Sequence, residues 1–120
     1  MIKIMHIEDD LDTQRVVKDI LQTEGYKVTS YSSGEAGIRA IKNEKPDIVL
    51  LDIMMPKMSG WDAFEKIRKT YKKAKVVFLT VLEISPERLK VLKHAGIKDY
   101  IAKPFTATEL VNRIKKVAKM

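Results

Sequence analysis

Apolar positions along this chain follow two periodicities in alternation. Short runs rich in aliphatic and β-branched residues predict five β-strands. They cover Ile2–Ile7, Tyr26–Tyr31, Asp47–Asp52, Lys75–Thr80 and Lys98–Ala102. Between these runs, apolar residues recur at intervals of three and four, which is the spacing of one helix face. The pattern is strand then helix, repeated five times.

Capping residues mark the ends of the predicted helices. Ser33, Ser59 and the segment Ser85-Pro86-Glu87 precede amphipathic stretches, as N-caps do. Gly25 and Gly96 follow two of these stretches and are expected to end them. Gly37 falls inside the second helix, where glycine is unfavourable. The predicted helices cover about Leu11–Glu24, Gly34–Asn43, Trp61–Tyr71, Ser85–Ala95 and a last stretch that begins at Thr106 or Thr108.

Five strand–helix repeats predict an α/β fold. We expect a doubly wound (βα)5 sandwich of three layers, with a parallel sheet between two layers of helices. The run Ile48–Leu51 is apolar throughout, which suits a strand covered on both faces. The connections are short, so residues 1–120 are interpreted as a single domain.

Composition limits the class of protein. Hydrophobic residues make up 45% of the chain, which is typical of globular proteins, and there is no cysteine. Disulfide frameworks and thiolate zinc sites are thereby excluded. No apolar run reaches membrane length, and the first residues lack the apolar segment of a secretory signal. We therefore expect a cytoplasmic protein with no membrane partner.

The chain is basic, with 23 lysines and arginines against 16 acidic residues. The lysines are spread along the sequence without the interleaved aromatic residues of a nucleotide-stacking platform. A solvated lysine-rich surface is the preferred interpretation, and nucleic acid is not expected to bind this domain alone. A salt-dependent affinity for duplex DNA would support the alternative.

Polar side chains end or directly follow four of the five predicted strands. Ligands of open α/β sheets bind outside the carboxyl ends of the strands, so these residues are expected to share one rim. The second strand ends in plain serines, which suggests an edge strand. The rim residues are Glu8, Asp9 and Asp10, then Asp52, Thr80 and Lys103.

The acidic residues of this rim are candidates for a metal site. Converging carboxylates repel one another, and a divalent cation relieves the repulsion. Oxygen ligands without histidine or cysteine favour Mg²⁺. Glu8, Asp9 and Asp52 are the main candidates. Asp10 is a further candidate, although it can equally serve only as a helix cap.

Asp52 follows four aliphatic residues, where a charge is costly without partners. A carboxylate beside a metal can attack phosphorus and form an acyl phosphate. Lys103 offers a positive charge for phosphoryl oxygens, and Thr80 offers a hydroxyl. Each residue also has a plainer alternative role: Asp52 as a turn residue, Lys103 as a surface lysine and Thr80 as an ordinary strand residue. His6 is expected to be a core histidine with satisfied hydrogen bonds.

The motifs HIEDD, LLDIMMPKMSG, LT at the end of the fourth strand and YIAKPF together resemble the receiver domains of two-component response regulators. The resemblance spans nearly the whole chain. It implies a flavodoxin-like fold with sheet order 2-1-3-4-5 and a cis bond between Lys103 and Pro104.

The resemblance also implies roles for single residues. Asp52 would be phosphorylated by a histidine kinase or a histidine phosphotransfer protein. Asp9, Asp52 and the main-chain carbonyl of Met54 would bind Mg²⁺, with Glu8 acting through water. Lys103 and Thr80 would contact the phosphoryl group, and Tyr100 would be an aromatic switch. Output would go to a protein target, not identified by the sequence, through the fourth helix, fifth strand and fifth helix.

Three residues depart from the usual pattern of that family. Val81 stands where a small residue is usual, and Met54 and Leu82 stand where polar residues often assist the attacking water. We hypothesise slow self-dephosphorylation.

Two other functions stay open at this point. A phosphatase of the haloacid dehalogenase type uses similar residues, but Met54 occupies the place of its second acid, so a non-enzymatic regulator is preferred. An interaction module independent of phosphorylation is the other alternative. Residues 1–120 contain no output domain, and the sequence does not decide whether one is attached; a monomer or a weak dimer on activation is expected.

Overall fold

A computed structural model describes all 120 residues of the chain. The five strands are β1 (Lys3–Ile7), β2 (Lys27–Tyr31), β3 (Ile48–Leu51), β4 (Lys75–Thr80) and β5 (Ile97–Ala102). The five helices are α1 (Leu11–Thr23), α2 (Gly34–Glu44), α3 (Gly60–Thr70), α4 (Pro86–Ala95) and α5 (Ala107–Ala118). None of these helices has the length and apolar character that crossing a bilayer requires.

The five strands form one parallel sheet in the order β2-β1-β3-β4-β5. The expected flavodoxin-like sandwich is confirmed, and so is the position of β2 at an edge. Because the strand order reverses beside β1, the carboxyl ends of β1 and β3 flank the crevice where ligands of such sheets bind.

The two faces of the sheet are covered by different helices. Successive residues of β3 point to opposite faces, and all four are buried. Val49 and Leu51 join a core cluster with α2 and α3, against which half-buried leucines of α4 pack, whereas Ile48 and Leu50 join a second cluster with α1 and α5. The continuous apolar run therefore fills two cores, as expected for a central parallel strand.

Helix starts agree closely with the capping signals. The side chains of Ser33, Ser59, Ser85 and Thr106 each accept a hydrogen bond from a backbone N–H in the first turn. Thr106, rather than Thr108, is therefore the cap of the last helix. Gly96 ends α4 in a left-handed conformation with φ of 119°.

Element ends differ from the predictions by one residue at several places. Asp47 and Asp52 lie just outside β3, although their N–H groups still donate to Lys3 and Ile7 of β1 at 2.8 and 3.1 Å. Gly37 sits inside α2 despite its low propensity. A Cβ atom there would lie 2.5 Å from Cδ1 of Ile7, so α2 packs closely on β1 and a larger residue would have to displace the Ile7 side chain.

Candidate functional site

Three carboxylates converge at the carboxyl ends of β1 and β3. Glu8, Asp9 and Asp52 each place an oxygen so that the three atoms lie within 4.8 Å of one another. Glu8 is 1% exposed and Asp52 is 5% exposed, while Asp9 faces solvent. This set of hard oxygen donors, open on one side, fits a Mg²⁺ ion that keeps several waters.

Lys103 reaches the same place from the segment between β5 and α5. Its ammonium nitrogen lies 2.5 Å from Oε1 of Glu8 and 3.5 Å from Oδ2 of Asp52. Its own N–H donates to the carbonyl of Thr80 at 2.9 Å, and the Lys103–Pro104 peptide bond is cis. The lysine is therefore a partner of two buried carboxylates and not a free surface charge.

Burial dominates the protonation of Glu8. It raises the pKa of Glu8 to about 7, although the hydrogen bonds from Lys103 and from the N–H of Asp10 act in the opposite direction. The charge of Asp52 adds to the increase. A group with this pKa changes charge near neutral pH and responds to any further cation placed beside it.

Asp10 is the N-cap of α1, which was one of the two roles considered for it. Its carboxylate accepts hydrogen bonds from the N–H and hydroxyl of Thr13, at 2.9 and 2.6 Å. These bonds lower the pKa of Asp10. The structure does not bring Asp10 into the group of converging carboxylate oxygens.

The loop after β3 is held by Gly60, whose role the sequence analysis missed. The Gly60 N–H donates to the carbonyl of Ile53 at 2.8 Å, and a Cβ atom on Gly60 would collide with the Asp52 carbonyl and lie 2.5 Å from Cα of Ile53. The N–H of Met54 donates to Oδ1 of Asp52 at 3.1 Å. Only a glycine at the start of α3 lets the chain turn this tightly around Asp52.

Thr80 and Tyr100 are connected through the peptide groups of Leu82. The Leu82 N–H donates to Oγ1 of Thr80 at 3.4 Å, and the Tyr100 hydroxyl donates to the Leu82 carbonyl at 2.5 Å. The Tyr100 ring is 6% exposed and contacts Phe78 edge-on, with centroids 6.1 Å apart. Burial, followed by the charge of Asp52, raises the pKa of Tyr100. The sequence drew attention only to the side chain of Leu82, because no sequence pattern predicts these two main-chain hydrogen bonds.

Three exposed apolar side chains lie in the segments that follow Asp52 and Thr80, and we refer to them as the apolar rim. Met54 is 56% exposed, Val81 58% and Leu82 38%. Trp61 instead packs against Phe78, with ring centroids 5.1 Å apart. The surroundings of Asp52 therefore offer solvent-facing hydrocarbon where a general base or a hydrogen-bonding side chain could have stood.

His6 lies in the core, as expected, but the prediction of satisfied hydrogen bonds is wrong. It is 0% exposed, and neither ring nitrogen hydrogen-bonds to a protein group. Burial and then the charge of Lys103 lower its pKa to about 4, against an opposing effect of Asp52.

Comparison with known protein families supports this geometry. The family described as response regulator receiver domain matches residues 4–115. The transcriptional regulatory protein RprY of Bacteroides fragilis is 33% identical over 118 residues, which is 98% of this chain and 50% of RprY. The chemotaxis protein CheY of Thermotoga maritima is also 33% identical over 118 residues, with 98% of both chains covered. The chain thus spans about half the length of regulators such as RprY and nearly all of CheY.

Solved structures show the same fold. The non-phosphorylated HemR receiver domain from Leptospira biflexa has a TM-score of 0.89 at 28% identity, and the match covers 100% of this chain and 96% of that one. The response regulator protein TrrA from Thermotoga maritima, solved in complex with Mg²⁺ and BeF, has a TM-score of 0.83 at 31% identity, with coverages of 98% and 99%. The chain therefore belongs to the response regulator receiver domain family.

Proposed function

We propose that residues 1–120 form a phosphorylation-activated switch whose phosphoacceptor is Asp52. The donor is the phosphohistidine of a histidine kinase or a histidine phosphotransfer protein. Asp9, Asp52 and the main-chain carbonyl of Met54 would hold Mg²⁺, with Glu8 acting through water. When bound, this ion supplies positive charge that offsets the charge of the incoming phosphoryl group.

The observation that carries the proposal is the position of Lys103 beside Glu8 and Asp52. In the transfer, a carboxylate oxygen of Asp52 forms a bond to phosphorus. The bond from phosphorus to the donor imidazole breaks, and its electron pair stays on that nitrogen. Such reactions depend mainly on positioning and charge stabilisation, and Lys103 provides an ammonium group for the phosphoryl oxygens. The relative TrrA, solved with Mg²⁺ and BeF, supports the same use of this site.

The switch would act through Thr80 and Tyr100. A new phosphoryl group on Asp52 offers acceptor oxygens to the Thr80 hydroxyl, which now accepts from the N–H of Leu82. Reorienting Thr80 would loosen one of the two bonds at Leu82 and shift the segment that leads to α4. α4 contains no buried residue, so its position is weakly fixed. The proposed output face is α4, β5 and α5, toward a protein target in the cytoplasm, with a monomer or a weak dimer on activation.

Phosphoryl acceptance by Asp52 is tested by intact-mass analysis after incubation with acetyl phosphate and Mg²⁺. We expect one added phosphoryl group on the wild type and none on Asp52→Asn. Asp19→Asn, on the exposed side of α1, is the matched control and should be modified like the wild type. Modification of Asp52→Asn to the wild-type extent would refute the proposal. Repeated turnover of a phosphomonoester would instead indicate a phosphatase.

A further inference from the structure

The positive charge of this protein is concentrated in one part of the chain. Residues 66–98 contain ten lysines and arginines and two glutamates, a net charge of +8. The other 87 residues contain thirteen cationic and fourteen acidic side chains, a net charge of −1. The lysines are spread along the sequence, but the net positive charge is not. The ten cationic residues are Lys66, Arg68, Lys69, Lys72, Lys73, Lys75, Arg88, Lys90, Lys93 and Lys98.

Part of this charge surrounds a cavity at the amino ends of β4 and β5. Asp52 lies at the other end of the sheet, where the strands end. α3 and α4 both end beside the starts of β4 and β5, and a cavity of about 290 Å³ lies between them. Arg68, Lys72 and Lys98 line it, with no carboxylate among the lining residues. Phe64 and Tyr71 contribute to its apolar wall. We refer to this cavity and its three cations as the α3–α4 pocket.

The cations of the α3–α4 pocket lack sufficient partners within the protein. Of the ten cationic residues, only Arg68 forms a salt bridge, with the exposed Glu65 at 3.3 Å. The carboxyl ends of α3 and α4 offer an alternative explanation, because each helix end carries about half a negative charge. Two such ends offset about one unit of charge, and Lys72 and Lys98 form no salt bridge, so the three-cation pocket keeps a net positive charge.

We propose that the α3–α4 pocket binds an acidic segment of a partner protein. An apolar side chain of that segment would fill the cavity, and flanking carboxylates would pair with Arg68, Lys72 and Lys98. Uncompensated cations around an apolar concavity are complementary to that chemistry, and charge complementarity of this kind steers association. The pocket lies at the amino ends of the strands and Asp52 at their carboxyl ends, so binding in the pocket does not obstruct the phosphoacceptor.

Other polyanions fit the α3–α4 pocket less well. A nucleic acid strand needs exposed ring faces for stacking, whereas Phe64 is 4% exposed and its ring is covered by the Arg68 guanidinium at 5.4 Å. A membrane surface needs apolar groups that protrude from a helix. Here the apolar surface is recessed between two helix ends.

The test uses a fluorescein-labelled peptide that alternates glutamate with leucine and phenylalanine. The protein variant Lys72→Glu/Lys98→Glu reverses two cations of the pocket. Lys42→Glu/Lys116→Glu is the matched control, since it reverses two exposed lysines in the last turns of α2 and α5 and gives the same net charge. We expect the first pair to weaken peptide binding at least about tenfold and the control less than about twofold. Urea unfolding of all variants checks that each is folded.

Two altered peptides test the two chemical parts of the proposal. Replacing the glutamates by glutamine should abolish binding, and replacing the apolar residues by serine should weaken it about tenfold. Full binding by either altered peptide overturns the proposal, as does absence of wild-type binding or an equal loss in the control pair. Tighter binding of duplex DNA or anionic phospholipid vesicles at the same ionic strength also overturns it. Because Asp52→Asn should bind the peptide normally, failure here is separable from failure at the phosphoacceptor.

Discussion

The ammonium group of Lys103 lies 2.5 Å from a carboxylate oxygen of Glu8, across 95 positions of sequence. Glu8 is 1% exposed, and its charge has few other partners. The pair joins the end of β1 to the segment that follows β5. The same contact therefore positions Lys103 beside Asp52 and contributes to the stability of the fold.

Replacing Lys103 by methionine should destabilise the protein in a pH-dependent way. Removing the lysine takes away the bond that lowers the pKa of Glu8, so that pKa rises further above 7. A buried carboxylate without its partner costs about 3–5 kcal/mol. This full cost is reached only above the raised pKa of Glu8. At about pH 8 part of it is present, and it disappears at lower pH, where Glu8 is protonated with or without Lys103. Urea unfolding at about pH 8 and pH 5.5 measures it.

Lys116→Met, an exposed change on α5, serves as the control for Lys103→Met and should have little effect at either pH. An equal loss of stability by Lys103→Met at both pH values would contradict the proposed dependence on Glu8.

Gly60→Ala should distort the loop that carries Asp52. The added Cβ would lie 2.5 Å from Cα of Ile53, and backbone cannot move as a flexible side chain can. We expect a loss of about 3 kcal/mol in the free energy of unfolding and slower modification of Asp52 by acetyl phosphate. Gly34→Ala is the matched control, because Gly34 is also a buried first residue of a helix but its nearest neighbour is the flexible side chain of Met58 at 2.8 Å. Equal effects of the two changes would disprove the backbone argument.

His6→Leu should stabilise the protein at acidic pH. The folded-state pKa of about 4 lies below the ordinary value of 6.5, so the unfolded chain binds a proton that the folded chain excludes. Stability from neutral His6 is present above pH 6.5 and is lost as the pH falls toward 4. Removing this loss should raise the free energy of unfolding at about pH 5 by ~2 kcal/mol.

Glu8 acts with the opposite sign over a similar range. Its folded-state pKa of about 7 lies above its ordinary value of 4.5, so protonation stabilises the folded chain as the pH falls from 7. The two dependences partly cancel in the wild type, and His6→Leu should reveal the contribution of Glu8. His94→Leu, on the exposed surface of α4, is the control. Parallel pH profiles of His6→Leu and the wild type would refute the assignment.

Tyr100→Phe should weaken the connection between the site and the β4–α4 segment. It removes the hydrogen bond to the Leu82 carbonyl while leaving the buried ring, at a cost of about 1 kcal/mol in the free energy of unfolding. We expect Asp52 to accept phosphoryl groups as before. The amide resonance of Leu82 should shift less on addition of beryllofluoride with Mg²⁺. Tyr71→Phe is the control, and an undiminished shift in Tyr100→Phe would exclude this hydroxyl from the switch.

Met54→Asn should shorten the lifetime of the acyl phosphate. The apolar rim offers no group to orient the attacking water, so the wild type is expected to lose its phosphoryl group slowly. A polar side chain that positions water should accelerate hydrolysis at least about tenfold. The main-chain carbonyl of residue 54 is retained in this variant. Val91→Asn, a similarly exposed change on α4, is the control, and rapid hydrolysis in the wild type would contradict the hypothesis.

The sequence by itself determined the order and type of all ten elements. Periodicity separates the fully apolar run of β3 from the amphipathic helices, and serine caps fix where α2, α3 and α4 begin. These signals are local, because hydrogen bonds to a helix N-terminus form within a few residues. Parallel strand ends share one edge of a sheet, so the gathering of Glu8, Asp9 and Asp52 was also predictable.

Only the tertiary structure decided how distant groups meet. No periodic pattern predicts that Lys103 contacts Glu8, that Gly60 must admit the backbone of Ile53, or that His6 lacks a polar partner. Arg68, Lys72 and Lys98 likewise come together only because α3, α4 and β5 meet at one edge. Burial and distance set the energy of each charge, and both depend on residues that the chain brings together only on folding.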